Sequence, residues 1–309
     1  MTQSTRGGVP MLVLVTAMWG VSFPLIGEIM GDDPEENEFV FLALRFALAT
    51  AVFLPIAPIV RRQSMGRGLL PWMLGAILGV LLFVGYWTQT VGLKYTTPPR
   101  SAFVTMLSVP LVPILAALTF RRPPLFVHVA GSLLAVAGVG IVLAPSGSFE
   151  PNRGDWWTLA CAAVFAVEIL AMASFARRVP PAVLTFAMIG TVALCSFFGL
   201  AVTEGTQPHY DAAFWVAVGV TGIVCTTLAM GGMTWAQGRV SAETAAIVFA
   251  LEPVFASLFD YLHTAQTLTR WQWIGGLVVV LAVAWTSRAP TPSEEQPTEP
   301  PERPTPAAG

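Results

Sequence analysis

The sequence predicts an all-α integral membrane protein: ten transmembrane helices arranged as two inverted five-helix repeats. Three observations predict it. The chain is 55% hydrophobic and only 11% charged, where a soluble domain carries about 25% charged residues. Polar surface is therefore too scarce to cover a water-soluble body of this size, whereas in a hydrocarbon solvent the outside can be as apolar as the core. The apolar residues also fall into ten runs of about 20 residues, the length that crosses a bilayer as a helix. Finally, patterns in the first five runs recur in the last five. Because five is odd, the second copy enters the membrane from the opposite side.

The runs cover approximately 9–30, 39–60, 69–92, 99–120, 125–145, 155–175, 181–203, 211–237, 241–262 and 271–288. The first is too long for a signal-peptide core and no Ala-x-Ala site follows it, so a retained helix is expected. The breaks are short and rich in Gly, Pro and charge, as in Gly31-Asp32-Asp33-Pro34 and Arg121-Arg122-Pro123-Pro124. Such connections predict a compact bundle in which consecutive helices are antiparallel neighbours. The expected organisation is a cytoplasmic N-terminus (1–8), a first repeat (9–145), a second repeat (155–288) and a tail (289–309). The tail is dominated by Pro, Glu and Thr, has almost nothing to bury, and is expected to be disordered.

The net charge of −2 is local in origin: six acidic residues fall between 28 and 38 and four more after Ala289. No basic stripe marks a nucleic-acid partner, so the expected partners are the lipid bilayer and a small-molecule solute. With the N-terminus inside the cell, eleven Lys and Arg residues fall on the inner side and four (Lys94, Arg100, Arg153, Arg270) on the outer. That bias requires an even number of spans and predicts both termini cytoplasmic; the inner membrane is the expected location. Cys161, Cys195 and Cys225 are odd in number, lack CxxC spacing and sit in apolar runs, which predicts inert thiols. His128, His209 and His263 are expected at span ends or in a loop, solvated or interfacial and unable to converge. No metal or cofactor is expected.

The repeat is visible in short pieces. Trp87-Thr88-Gln89 in the third run matches Trp235-Ala236-Gln237 in the eighth. Ser101-Ala102-Phe103-Val104 through Pro110 matches Thr244-Ala245-Ala246-Ile247 through Pro253 at the same internal spacing. Several pieces together carry a family resemblance: Trp19-Gly20-Val21-Ser22-Phe23, Arg45-Phe46, Gln89-Thr90-Val91-Gly92-Leu93-Lys94-Tyr95-Thr96-Thr97, Phe249-Ala250-Leu251-Glu252-Pro253-Val254-Phe255, and Leu268-Thr269-Arg270-Trp271-Gln272-Trp273-Ile274-Gly275. In this order the chain resembles EamA-type transporters of the drug/metabolite transporter superfamily over about residues 9–288. The resemblance implies a ten-helix carrier that exports or imports amino acids, metabolites or drugs, often with proton coupling, and it fixes neither substrate nor direction; export is the direction expected here. Two departures stand out. Ala265-Gln266 occupies the place where relatives commonly carry Gly-Glu, and Arg121 falls near the equivalent position of the first half.

Ionisable groups within a span cost on the order of 2.5–3.5 kcal/mol each by insertion scales, so each needs a reason. Glu252 falls near the midplane of the ninth run, beside Pro253, which frees a backbone carbonyl. It either binds a proton, an amine or a cation, or bonds a neighbouring helix and holds the bundle together. Glu168, about twelve residues into the sixth run, has no evident structural need and is a candidate for binding substrate or a proton. Arg45 either pairs with Glu28, snorkels to the interface or meets a substrate carboxylate; the structural roles are favoured. Trp19, Tyr86, Trp87, Gln89, Trp235 and Gln237 combine flat apolar faces with hydrogen-bonding tips, the composition of a small-molecule pocket, although aromatic residues near span ends also serve as interfacial anchors. The site is expected among the first, third, sixth, eighth and ninth helices. Pro110 and Pro253, together with Pro113, are candidate kinks or gates. Gly75 and Gly79 form a GxxxG that predicts close helix packing.

Other classes fit less well. Asp32-Asp33-Pro34-Glu35-Glu36 suggests a magnesium-diphosphate site of a membrane enzyme, but no second acidic cluster accompanies it and no catalytic motif is present. A non-transporting subunit leaves the inverted repeat without a purpose. No ATP-binding motif is present, so transport is expected to be either uncoupled or driven by an ion gradient.

Overall fold

The computed structural model describes residues 7–30, 37–121, 123–143, 151–205, 209–264, 269–286 and 288. Regular structure among these residues is helical. Among the described residues eight helices are long and apolar enough to cross a membrane, and two shorter apolar ones bring the number to ten. The chain is a multi-pass membrane protein of about ten helices. In order they are α1 (Gly8–Met30), α2 (Glu38–Ser64), α3 (Leu70–Leu93), α4 (Arg100–Phe120), α5 (Phe126–Leu143), α6 (Arg153–Phe175), α7 (Pro181–Val202), α8 (Ala212–Gln237), α9 (Ala242–Phe259) and α10 (Arg270–Thr286). The acidic cluster at 32–36, Gln266 and the tail lie outside the described residues, as does the side chain of His263.

Helix starts are set by short polar side chains that satisfy the first free backbone amides. Asn37 accepts from the Phe39 amide at the start of α2, and Asp211 accepts from the Phe214 amide at the start of α8. Ser241 accepts from the Thr244 amide before α9. At α6, Asn152 and Asp155 form a reciprocal capping box, and α3 and α7 have proline in their first turn, where no amide partner is needed.

Besides the tighter 3-10 turn Leu54–Ile56 within α2, three helices are interrupted near their middles among the described residues. α1 consists of Gly8–Gly20 and Ser22–Met30. α4 is divided at Met106-Leu107, between Pro98–Thr105 and Ser108–Phe120. α9 is divided at Ala250-Leu251, between Ala242–Phe249 and the segment that starts at Glu252. The breaks in α4 and α9 occur at nearly equivalent positions of the two repeats. Pro253 lies in the first turn after its break, and Pro110 lies in the first turn of the second half of α4. The kink in α4 is thus centred on Met106-Leu107 rather than on Pro110, because a proline disrupts bonding to the turn before it. α8 is interrupted differently: Thr221–Leu228 is π-helical, a wider turn that frequently marks functional sites.

The two repeats interlock instead of lying side by side. α3 packs mainly on α6 and α7, α2 on α7 and α8, α1 on α8 and α9, and α5 on α10. The main neighbours are therefore in the other repeat, which corrects the expectation that short loops make consecutive helices the principal partners. A short loop fixes only how far apart two helix ends lie; the faces that meet are chosen by shape. The GxxxG shows this. A Cβ on Gly79 would lie 2.5 Å from Thr191 Cβ and 2.7 Å from the Met188 carbonyl oxygen of α7, and Gly75 abuts Ala187 and Leu184 of the same helix. The small residues let the two backbones touch. Large apolar side chains such as Leu118, Phe126, Leu194 and Phe198 are exposed, as a lipid-facing surface requires.

Candidate functional site

The helix interruptions surround one internal cavity of about 50 Å³. Residues from both sides of each break line it: Trp19 and Ser22 from α1, Thr105, Met106 and Ser108 from α4, and Phe249 and Glu252 from α9. α2 contributes Arg45, α3 contributes Leu82, Tyr86 and Gln89, α6 contributes Phe165, Glu168 and Ile169, and α8 contributes Met233. Both repeats thus build the wall, with α2 and α4 joining the five helices expected to form it.

The polar groups are few and individually placed. Trp19 Nε1 donates to the Cys225 carbonyl at 2.8 Å, an acceptor within the π-helical turn, and its ring lies 5.2 Å from that of Phe249. Gln89 Nε2 donates to Thr105 Oγ1 at 3.4 Å, and Thr105 in turn donates to the Ser101 carbonyl. The Tyr86 ring stands edge-on to Phe165 at 5.6 Å. Arg45 is buried, with its guanidinium carbon 4.8 Å from the Tyr86 ring centre and its Nε donating to Thr226 Oγ1 at 2.9 Å. Glu168 and Glu252 are buried, and Glu168 Oε1 has no hydrogen-bond partner among the described residues. The ion pairs found among the described residues lie elsewhere, between Lys94 and Glu38 (2.6 Å) and between Arg100 and Asp155.

Of the residues anticipated for a pocket, Trp19, Tyr86, Gln89 and Glu168 line this cavity, and so does Glu252. Trp235 and Gln237 do not. Trp235 lies under the Arg239 guanidinium, 3.9 Å from ring centre to Cζ, and Gln237 is fully buried with both amide atoms lacking a partner among the described residues. The two Trp-x-Gln motifs sit differently in their helices. Gln89 is followed by another turn of helix to Leu93, whereas Gln237 is the last residue of α8. Trp87 also lies off the cavity: its Nε1 donates to Glu38 Oε1 at 2.9 Å. Glu28 is exposed and does not pair with Arg45. His128, expected to be solvated, is 1% exposed, with Nε2 unpartnered among the described residues; His209 is exposed.

Several wall residues escaped the sequence reading. Phe165 stands three residues from Glu168, one helical turn away on the same face of α6, while Ser22 and Phe249 face Trp19 and Glu252 across the breaks of α1 and α9. Thr105 and Ser108 carry no comparable signal, because their placement depends on the break in α4.

The EamA-like transporter family matches residues 6–144 and again residues 152–288. The chain belongs to the EamA-like transporter family. This EamA-like chain is 31% identical over 274 residues to an uncharacterized transporter of Archaeoglobus fulgidus, covering 88% of this chain and 83% of that one. It is 23% identical over 279 residues to a chloroplastic WAT1-related protein of Arabidopsis thaliana, covering 86% of this chain and 66% of that one. An uncharacterized transporter of Bacillus subtilis is 25% identical over 260 residues, 79% of this chain and 83% of its own length. A crystal structure described only as a protein shares the fold with a TM-score of 0.70 at 22% identity, covering 90% of this chain and 96% of that one. Family and relatives make this chain a membrane transporter.

Proposed function

We propose that the chain is a secondary carrier that moves small organic solutes (amino acids, metabolites or drugs) out of the cell, by alternating access of its two repeats around the central cavity. The observation that carries this reading is the cavity itself. It is walled by both repeats, bounded by the interruptions of α1, α4 and α9, and supplied with two carboxyl groups that form no ion pair among the described residues. A helix divided at its middle can move one half relative to the other, which suits a site that opens alternately to each side. Glu168 and Glu252 are the proton-coupling candidates, since a buried carboxyl group with no ion-pair partner among the described residues can take up a proton on one side of the cycle and release it on the other. Aromatic rings and the tips of Trp19, Tyr86 and Gln89 provide the apolar wall and the few polar contacts that a small-molecule site needs. The reading places the protein in the inner membrane with both termini in the cytoplasm and gives it no enzymatic role.

The test is transport by the purified protein in liposomes. Uptake of a mixed amino-acid and metabolite pool is followed by mass spectrometry, with and without a pH gradient, beside Glu168→Gln and Glu252→Gln. Flux that follows the gradient, with the response lost in at least one variant, is expected. Gradient-independent flux that survives both changes would leave an uncoupled carrier, and absence of flux for every solute would refute the transport reading. Right-side-out and inverted vesicles of cells bearing the protein report the direction.

A further inference from the structure

We infer that Arg45 holds the anionic group of the transported solute and that Thr226, in the π-helical turn of α8, is the positioning residue that aims it. This rests on the transport reading above.

Arg45 is 2% exposed and lines the cavity. Its guanidinium is constrained on three sides. The ring centres of Tyr86 and Phe46 lie 4.8 Å and 5.2 Å from its central carbon. Its Nε is used on Thr226 Oγ1 at 2.9 Å. The two Nη groups make no hydrogen bond or ion pair with protein among the described residues, although Glu168 and Glu252 line the same cavity. A buried arginine with its fork unspent is an uncompensated charge in a medium of low dielectric. The geometry of that fork matches a planar oxyanion such as a carboxylate. An arginine that served only to join helices would be expected to spend its charge on a nearby carboxylate.

Thr226 is built to present an acceptor. Its hydroxyl donates to the Thr221 carbonyl at 2.8 Å, five residues back, which leaves a lone pair for Arg45. The wider π-turn supplies that i−5 carbonyl. The approach of α2 to this turn is close because residue 222 is glycine: a Cβ there would lie 3.0 Å from the Arg45 carbonyl oxygen and 3.1 Å from Leu48 Cδ2. The turn, the threonine and the glycine together fix the plane of the guanidinium, with its fork left for a ligand.

The test sorts the solutes carried in proteoliposomes by charge and compares wild type with Arg45→Gln, Arg45→Lys, Thr226→Val and Thr226→Ser. Every transported solute is expected to bear a carboxylate or other oxyanion. Arg45→Gln is expected to raise KM for these solutes by about 10- to 100-fold, the loss of a charged hydrogen-bonded contact. Thr226→Val is expected to raise KM by about 10-fold with a smaller change in kcat, and Thr226→Ser, which restores the hydroxyl, is expected to rescue it. If Arg45→Gln does not fold, judged by its elution profile in detergent, the Arg45→Lys and Thr226 pairs decide. Transport of solutes without an anion, or an unchanged KM for anionic solutes in Arg45→Gln, would overturn the inference while leaving transport intact. So would a Thr226→Val defect confined to kcat. Absence of flux in wild type would instead refute the transport reading, and this inference with it.

Discussion

Asp155 joins two kinds of interaction at one side chain, which makes its removal a quantitative test of the end of the bundle where α3 finishes and α6 begins. Its carboxylate accepts from the Asn152 amide at 2.7 Å, closing the capping box of α6. It also accepts from Arg100 Nε at 2.8 Å and from Arg100 Nη2, linking α4 of the first repeat to α6 of the second. Losing a cap costs about 1 kcal/mol. The two-point arginine contact would contribute about 1.5–3 kcal/mol if fully enclosed, but the Arg100 side chain is 22% exposed, so solvent screening reduces this to about 1 kcal/mol. Asp155→Ala is therefore expected to cost about 2 kcal/mol. For a chain of this size that is a fall in Tm of about 4 °C, measured by thermal unfolding in detergent. Asp155→Asn keeps an oxygen for the Asn152 amide and loses only the charge, so about half of the loss is expected. A double-mutant cycle with Arg100→Ala should show a coupling of about 1 kcal/mol. Zero coupling, or equal stability for both Asp155 variants, would refute this apportionment.

Three further outcomes follow from the packing. Gly85→Ala places a Cβ 2.7 Å from Phe165 Cδ1 and 3.0 Å from Phe165 Cζ; overpacking of this kind costs about 1–3 kcal/mol, and adding Phe165→Leu should recover most of it in the same melt. Gln237→Leu replaces a buried amide that has no partner for either polar atom among the described residues and is expected to be neutral or stabilising by up to about 1 kcal/mol; a clear loss of stability would show that the amide is satisfied in the folded protein. Trp235→Phe, off the cavity wall, should leave KM within about twofold of wild type, since the change removes no contact to the site, whereas Trp19→Phe removes the bond to the Cys225 carbonyl and should alter transport.

Much of the candidate site was legible because ionisable and amphipathic side chains inside apolar runs are conspicuous. Glu168, Glu252, Trp19, Tyr86 and Gln89 were chosen on that ground, and all five line the cavity. Trp87, Trp235 and Gln237 were chosen on the same ground but lie off the cavity wall: Trp87 donates to Glu38, Trp235 lies under Arg239 and Gln237 ends α8. Pro110, a candidate kink, is visible in the sequence, and the break it accompanies lies just before it at Met106-Leu107. For Arg45 a pairing with Glu28 was one of three alternatives, whereas its hydrogen-bond acceptor comes from α8, 181 residues away.

By itself the sequence determined the solvent, the number of helices and the duplication. Those properties are carried by composition and run length, since a chain this poor in charge cannot face water and a helix must be about 20 residues long to cross a bilayer. Which helices meet, and which polar side chains converge, was decided only by the tertiary structure. In hydrocarbon, apolar faces are nearly equivalent to the solvent, so hydrophobic patterning does not choose among neighbours; close contact at small residues and a few hydrogen bonds do. Gly79 against Met188, Trp19 against the Cys225 carbonyl and Arg45 against Thr226 are such choices. Each depends on a shape that exists only once both repeats have folded together.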